Sequence, residues 1–262
     1  MQSEMLRLIM KRVAMLTIDG IVIRERSVGE QDKFIDVLTA KDGVIEISVK
    51  GAKKINSKSG SSTQLFAYSR FCVQLRKQRY YLNSAEPVCI FYNLRTDIKK
   101  LSLAAFFADI VNYTIDRQNE YGEVLRLMLN TLHYLENDKR PLEFLKSLFE
   151  LRLCAELGMM PAIVGCSECG EFEPEKVVFR ISDGDFCCKE CCEASAEESF
   201  SNILSDKAML HAVRHIVLTD FSKLYNFRVS ERIMKNLSEY TERYLINHLG
   251  CNFRTLDFYR SL

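Results

Sequence analysis

Six of the ten cysteines of this chain (Cys166, Cys169, Cys187, Cys188, Cys191 and Cys192) fall in one short stretch. Within it, Cys166-x2-Cys169 is followed after 18 residues by Cys188-x2-Cys191. Two thiolates two residues apart on a tight turn can share one metal ion, and a second such turn completes a tetrahedron. The spacing therefore predicts one zinc ion held by Cys166, Cys169, Cys188 and Cys191. Cys187 and Cys192 adjoin the second pair, so which of its members bind the metal stays open. Four thiolates close the coordination sphere, whereas catalytic zinc keeps a position for water, and the expected role is structural.

A second pattern is electrostatic. Between Ile47 and Ala85 there is no Asp or Glu, yet there are eight basic residues: Lys50, Lys53, Lys54, Lys58, Arg70, Arg76, Lys77 and Arg79. Such a window predicts a basic face that binds an anion, and the interleaved Phe66, Tyr68, Phe71, Tyr80 and Tyr81 suit nucleic acid. Most of these rings are expected to fill a core, with a minority facing outward. Lys50, Lys53 and Lys54 flank Gly51 at a strand end, where a loop could follow a phosphate backbone. The cysteine-rich stretch has the opposite character: Cys166–Ser199 holds ten acids against Lys176, Arg180 and Lys189. It would repel phosphate, which leaves it a fold staple or a protein-contact surface.

The elements that must position these groups follow from hydrophobic periodicity. From Thr17 to about Val88 the apolar residues alternate (Ile21, Ile23; Ile35, Val37; Ile45, Ile47, Val49; Phe71, Val73, Leu75), which predicts five short strands. Lys41-Asp42-Gly43 is a turn signal between two of them. Five strands in so short a span suit a small barrel of the OB type. After Pro87 the period changes, and helices are expected over Asp97–Ile115, Glu123–Glu136 and Pro141–Leu157, then over Ser205–Thr219 and Ser230–Leu249. Ser205 and Ser230 are the expected N-caps. The fold class is thus α+β: a five-stranded OB-fold barrel, then a helical domain interrupted by a four-cysteine zinc ribbon. The expected divisions are an N-terminal extension over 1–14, a barrel over 15–88, helices over 89–165, the zinc insert over 166–192 and closing helices over 193–262.

Composition excludes several classes. Apolar residues make up 47% and charged residues 27% of 262 residues, an ordinary globular balance. The net charge of +1 hides the local asymmetry just described. The longest apolar runs fall well short of the roughly 20 residues that span a bilayer. Met1–Val13 has neither a continuous apolar core nor a small-residue cleavage site, so the expected location is the cytoplasm. There the thiols stay reduced and metal binding is favoured over disulfides. The sequence carries no Gly-x4-Gly-Lys-Ser/Thr loop, dinucleotide fingerprint, His-Glu-x2-His helix or deaminase signature, so no enzyme is expected. His211 and His215 are four apart but read as helix surface. Cys72, Cys89, Cys154 and Cys251 read as core.

The order of parts resembles the bacterial RecO recombination mediators. Thr17–Ile23 with Gly29-Glu30-Gln31-Asp32, then Leu38-Thr39 and Gly43, is similar to the family's opening pattern. Val49-Lys50-Gly51-Ala52-Lys53-Lys54 with Ser57 is similar to its lysine-glycine-alanine segment. Phe149-Glu150-Leu151-Arg152-Leu153, Gly158 and Pro161 lead into Cys166-Ser167-Glu168-Cys169-Gly170 as in that family, and Tyr244-Leu245-x-x-His248-Leu249-Gly250 resembles its closing helix. Gly184-Asp185 departs from a glycine pair, and Cys187 and Cys192 are additional. The resemblance implies a DNA repair and recombination mediator. Such a protein binds single- and double-stranded DNA, anneals complementary strands and, with RecR, helps load RecA onto DNA covered by single-strand-binding protein. The residues alone reach only a zinc-stapled, OB-like nucleic-acid binder, for which an RNA-binding or translation-associated protein is the alternative.

Overall fold

The computed structural model describes residues 15–52, 59–117, 119–194 and 202–262. Two compact units are present, one formed by the chain up to Glu136 together with Asp257–Leu262, the other by Asn137–Leu256.

The first unit holds strands β1 (Met15–Val28), β2 (Asp32–Thr39), β3 (Val44–Val49), β4 (Ala67–Arg76) and β5 (Arg79–Ile90). They close into a barrel in the order β1-β2-β3-β5-β4. Closure depends on the length of β1, which pairs with β4 from Met15 to Ile21 and with β2 from Gly20 to Val28. The remaining seam is parallel, Ile47 opposite Tyr80 and Ser48 opposite Tyr81. Alternation sends Val22, Ile35, Val37, Ile45, Ile47, Val49, Phe71 and Val73 into one buried interior, each contributing about 1.5–3 kcal/mol by burial. The strand read from Ile21 and Ile23 is present, but that alternating pair does not form part of this interior. A bulge between Val22 and Arg24 offsets the strand, and Val22 faces the interior. Ile21 and Ile23 are buried as well, on the opposite face, where β1 meets two helices, α1 (Ile98–Thr114) and α2 (Gly122–Glu136).

At the expected turn, Gly43 has φ +60° and a Cβ there would lie 1.8 Å from the carbonyl oxygen of Asp116. That segment runs against the hairpin, with Arg117 Nε donating to the Val44 carbonyl at 3.1 Å. The β4–β5 hairpin turns at Lys77 and Gln78, both with positive φ (46° and 64°) and neither a glycine.

The second unit contains α3 (Leu142–Glu156), strands β6 (Lys176–Arg180) and β7 (Asp185–Cys188), a short helix α4 (Lys189–Ala194), β8 (Ile203–Asp206), α5 (Lys207–Leu218) and α6 (Glu231–Leu249); α7 (Arg254–Arg260) follows. The cysteine-rich insert is built on a three-stranded sheet in the order β7-β6-β8. The expected helices are all present within two residues. One cap differs: Ser205 lies in β8, and Asp206 caps α5 by accepting from the Ala208 N–H. The caps of α6 and α1 are Ser230 and Asp97. Among the described residues no helix is long and apolar enough to cross a membrane.

Candidate nucleic-acid interface and metal centre

On the outer surface of the barrel, Ser48, Lys50, Gln74, Arg76, Lys77, Tyr81, Leu82 and Asn83 line an open cavity of about 540 Å³. It lies across β3, β5 and β4, so strand pairing alone fixes its floor. Tyr81 stands opposite Ser48 on one side and Gln74 on the other. Three cations meet there and none of the lining residues is acidic. The hairpin tip supplies two of them: Arg76 pairs with Arg79 across the turn, and Lys77 sits in the left-handed conformation that carries its side chain to the cavity. Such a conformation costs a residue other than glycine about 1–2 kcal/mol, and strain of this kind collects at functional sites.

The expected cations are not all gathered in this place. Lys50, Arg76 and Lys77 converge, and Arg79 is exposed at the same hairpin. Arg70 stands apart, held in a two-pronged pair with Asp19 at 2.9 and 3.1 Å. Its charge is held up by Asp19, with a smaller contribution from Glu86. Lys53, Lys54 and Lys58 lie outside the described residues, as does the expected extension 1–14. Elsewhere on the barrel, charges of both signs neutralise one another, Arg26 bridging Asp36 at 2.8 Å and Glu46 at 2.6 Å. Of the aromatics, Phe66 and Phe71 are core and Tyr80 packs against the interior. Tyr81 turns outward with the guanidinium carbon of Arg76 5.9 Å from its ring centre. Gln74, Asn83, Ser48 and Leu82 carried no charge signal in the sequence; only the strand parity set by inward Ile47 and Val49 could have revealed the outward ones.

In the second unit the sulfurs of Cys166, Cys169, Cys188 and Cys191 all lie within 4.8 Å of one another. Cys188 is 3.8 Å from both Cys166 and Cys169. A tetrahedron with metal–sulfur bonds of about 2.3 Å has edges of about 3.8 Å, so the group fits one metal ion. The first knuckle is tight because Gly165 is a glycine: a Cβ there would meet the Gly170 carbonyl oxygen at 2.7 Å. The second knuckle joins the end of β7 to α4, and the Cys188 N–H donates to Cys166 Sγ at 3.2 Å. Burial opposes ionisation of Cys166, but the N–H groups of Cys169, Cys188 and Glu168 outweigh it and lower its thiol to about 6. That favours the thiolate a metal needs.

Cys187 points to the other side of β7 from Cys188; burial, and next the thiol of Cys192, push it up to about 12. Two arginines fasten the knuckles. Arg180 binds both Asp185 oxygens at 2.7 Å and donates to Ser167 Oγ at 2.7 Å. Arg214 donates to the carbonyls of Ile163, Val164 and Phe172, with Phe172 stacked 4.0 Å from its guanidinium carbon. Among the described residues this is the one cluster of its kind. His211 instead meets Glu173 at 3.3 Å, and the His215 ring packs on Phe227. Only Cys154 of the four expected core thiols is fully buried; Cys89 is exposed, and Cys72 and Cys251 are half-buried.

Comparison with known proteins decides what carries this barrel and this cluster together. Residues 10–91 match the family model described as Recombination protein O N terminal, and residues 95–257 match Recombination protein O C terminal. The chain belongs to the RecO family. DNA repair protein RecO of Acetivibrio thermocellus is 33% identical over 248 residues, covering 94% of this chain and 97% of that protein. DNA repair protein RecO of Alkaliphilus metalliredigens is 28% identical over 245 residues, covering 93% and 98%. The RecO N-terminal match begins at residue 10, so residues 10–14 of the expected extension fall inside it.

Proposed function

We propose that this RecO-family chain is a DNA repair and recombination mediator that works without enzymatic chemistry. In this reading the barrel holds single- and double-stranded DNA by its phosphates, brings complementary strands together for annealing, and acts in the cytoplasm with RecR and single-strand-binding protein to help load RecA. The observation that carries it is the barrel cavity where Lys50, Arg76 and Lys77 converge with no acid among the lining residues. Phosphate contacts supply affinity without reading sequence. Lys53, Lys54, Lys58, Arg70 and Arg79 belong to the same basic segment of the sequence and complete the set of phosphate partners in this reading. Of these, Arg70 contributes least because Asp19 already neutralises it.

Zinc is the metal we assign to Cys166, Cys169, Cys188 and Cys191, because four thiolates in a tetrahedron are a structural zinc set. When bound it cross-links the two knuckles. The residues around it do the rest: Arg180 and Arg214 hold the flanking loops, and the backbone N–H groups stabilise thiolate charge.

The test is the salt dependence of DNA binding. Replacing Lys50, Arg76 and Lys77 together by Ala removes three phosphate partners, so the slope of log affinity against log salt for a single strand falls by about 2, at roughly 0.7 per contact. Unchanged affinity with an unchanged slope removes this cavity from the DNA path.

A further inference from the structure

Tyr81 is the one aromatic among the residues that line the barrel cavity, and its surroundings are unlike those of the other rings of the segment. Its neighbours along β5, Tyr80 and Leu82, pack against the interior, which by strand alternation turns Tyr81 outward. Across the sheet it is flanked by Ser48 and Gln74, neither of them aromatic or charged. Asn83, two residues on, shares the same outward face and lines the same cavity. The side chain is half-buried, so part of the ring is held by the sheet and part is open to solvent. Arg76 approaches it at 5.9 Å, within reach of a cation–π contact.

An outward strand position beside three cations would ordinarily be polar. A half-exposed outward ring with amides beside it and cations around it is instead the arrangement that accepts a flat heterocycle joined to phosphate. We infer that Tyr81 is a stacking platform for an unpaired nucleobase, so that the cavity takes single-stranded nucleic acid with bases toward the barrel and phosphates toward Lys50, Arg76 and Lys77. In a duplex each base face is already covered by its neighbours, and only base edges are offered in the grooves. Double-stranded DNA can therefore use the cations but not the ring. Tyr81 discriminates between the two forms, whereas the cations do not. The inference rests on the reading of this cavity as a nucleic-acid interface.

The experiment compares two strands of equal length and charge with the full chain: a 20-nucleotide oligothymidylate, and the same backbone made entirely of abasic sites. The protein as it exists binds the thymidylate tighter by about five- to 150-fold, the range of one stacked base. Tyr81→Leu abolishes that preference, leaving affinity and salt slope on the abasic strand unchanged, while Tyr81→Phe keeps it. The chain has no tryptophan, so Tyr81→Trp places a single emitter in the cavity; its fluorescence is quenched by the thymidylate and not by the abasic strand. The inference is overturned if Tyr81→Leu binds both strands as the parent does, if it loses both equally, or if the tryptophan emission ignores the thymidylate. Equal binding of both strands by the parent protein also overturns stacking while leaving the phosphate interface intact. Failure of the parent to bind either strand at low salt overturns the interface itself.

Discussion

Replacing Lys146 by Met tests how the helical unit carries its buried charge. Lys146 on α3 meets Glu150 at 2.7 Å and Glu242 of α6 at 2.8 Å, and the Lys146 and Glu150 side chains are 4% and 0% exposed. Thr241 donates its hydroxyl to the other Glu150 oxygen at 2.8 Å. Burial pushes the Glu150 carboxyl up, and Lys146 pulls it back only in part. Burial also opposes the Lys146 charge, but Glu150 and Glu242 outweigh it. Methionine keeps most of the stem's volume and removes the cation. Glu150 must then stay ionised without its cation, at about 3–5 kcal/mol, or take up a proton.

Protonation sets the ceiling. From an ordinary value of 4.5, at about 1.36 kcal/mol per pH unit, it costs about 3.4 kcal/mol at pH 7 and about 0.7 at pH 5. A folded-state pKa raised above the unfolded one favours the fold below the unfolded value and loses that advantage as pH rises through the folded one. The penalty of Lys146→Met is therefore about 3 kcal/mol at pH 7 and under about 1 kcal/mol at pH 5, read from urea unfolding followed by circular dichroism. The double variant Lys146→Met/Glu150→Leu recovers most of the loss at pH 7, because no fully buried charge is then left without its cation, and Glu242, whose side chain is 20% exposed, keeps contact with water. A penalty equal at the two pH values, or a double variant no more stable than the single, refutes the reasoning.

Cys166→Ser lowers bound zinc from about one equivalent toward none and lowers the melting temperature, with DNA affinity at low temperature retained; metal analysis and thermal melts check both. Gly43→Ala costs at least about 1–2 kcal/mol from its left-handed backbone alone, and more because the Asp116 carbonyl occupies the Cβ position, read as a shifted urea midpoint. Gln78→Gly stabilises the first unit by about 0.5–1 kcal/mol by relieving the hairpin turn, read in the same assay. Annealing of complementary oligonucleotides, followed by quenching between labelled strands, proceeds without ATP and slows as salt rises; a strict nucleotide requirement would count against a passive agent.

The barrel was legible because its interior alternates at period two over β2, β3 and β4, and the helices because Leu142, Leu145, Phe149 and Leu153 recur on one face. On β1 the run Ile21-Val22-Ile23 defeated that reading: with both faces of the strand buried, alternation carries no sign, and only the bulge after Val22 fixes it. The cysteine cluster was legible from spacing alone, but the choice of Cys188 and Cys191 over Cys187 and Cys192 needed the side of β7 on which Cys188 falls and the turn of α4 that brings Cys191 to it. The cavity was half legible. Charge marked its cations, yet the same signal swept in Arg70, whose partner Asp19 is distant in sequence and adjacent only through the β1–β4 pairing. Lys77 and Gln78 gave no turn signal, since neither is a residue that favours positive φ.

The parallel seam between β3 and β5 rests on two residue pairs, so it is the join at which the first unit parts most cheaply in local opening. The cavity straddles that join, with Ser48 and Lys50 on one bank and Tyr81, Leu82 and Asn83 on the other. A strand laid across both banks acts as a clasp: it binds the closed cylinder and not the parted one, and so raises the free energy of opening by mass action. Amide hydrogens near Ile47 and Tyr80 should then exchange more slowly when DNA is present, while those of the β1–β2 pairing on the far side keep their rates. The cylinder's slackest line would be laced shut by what it carries.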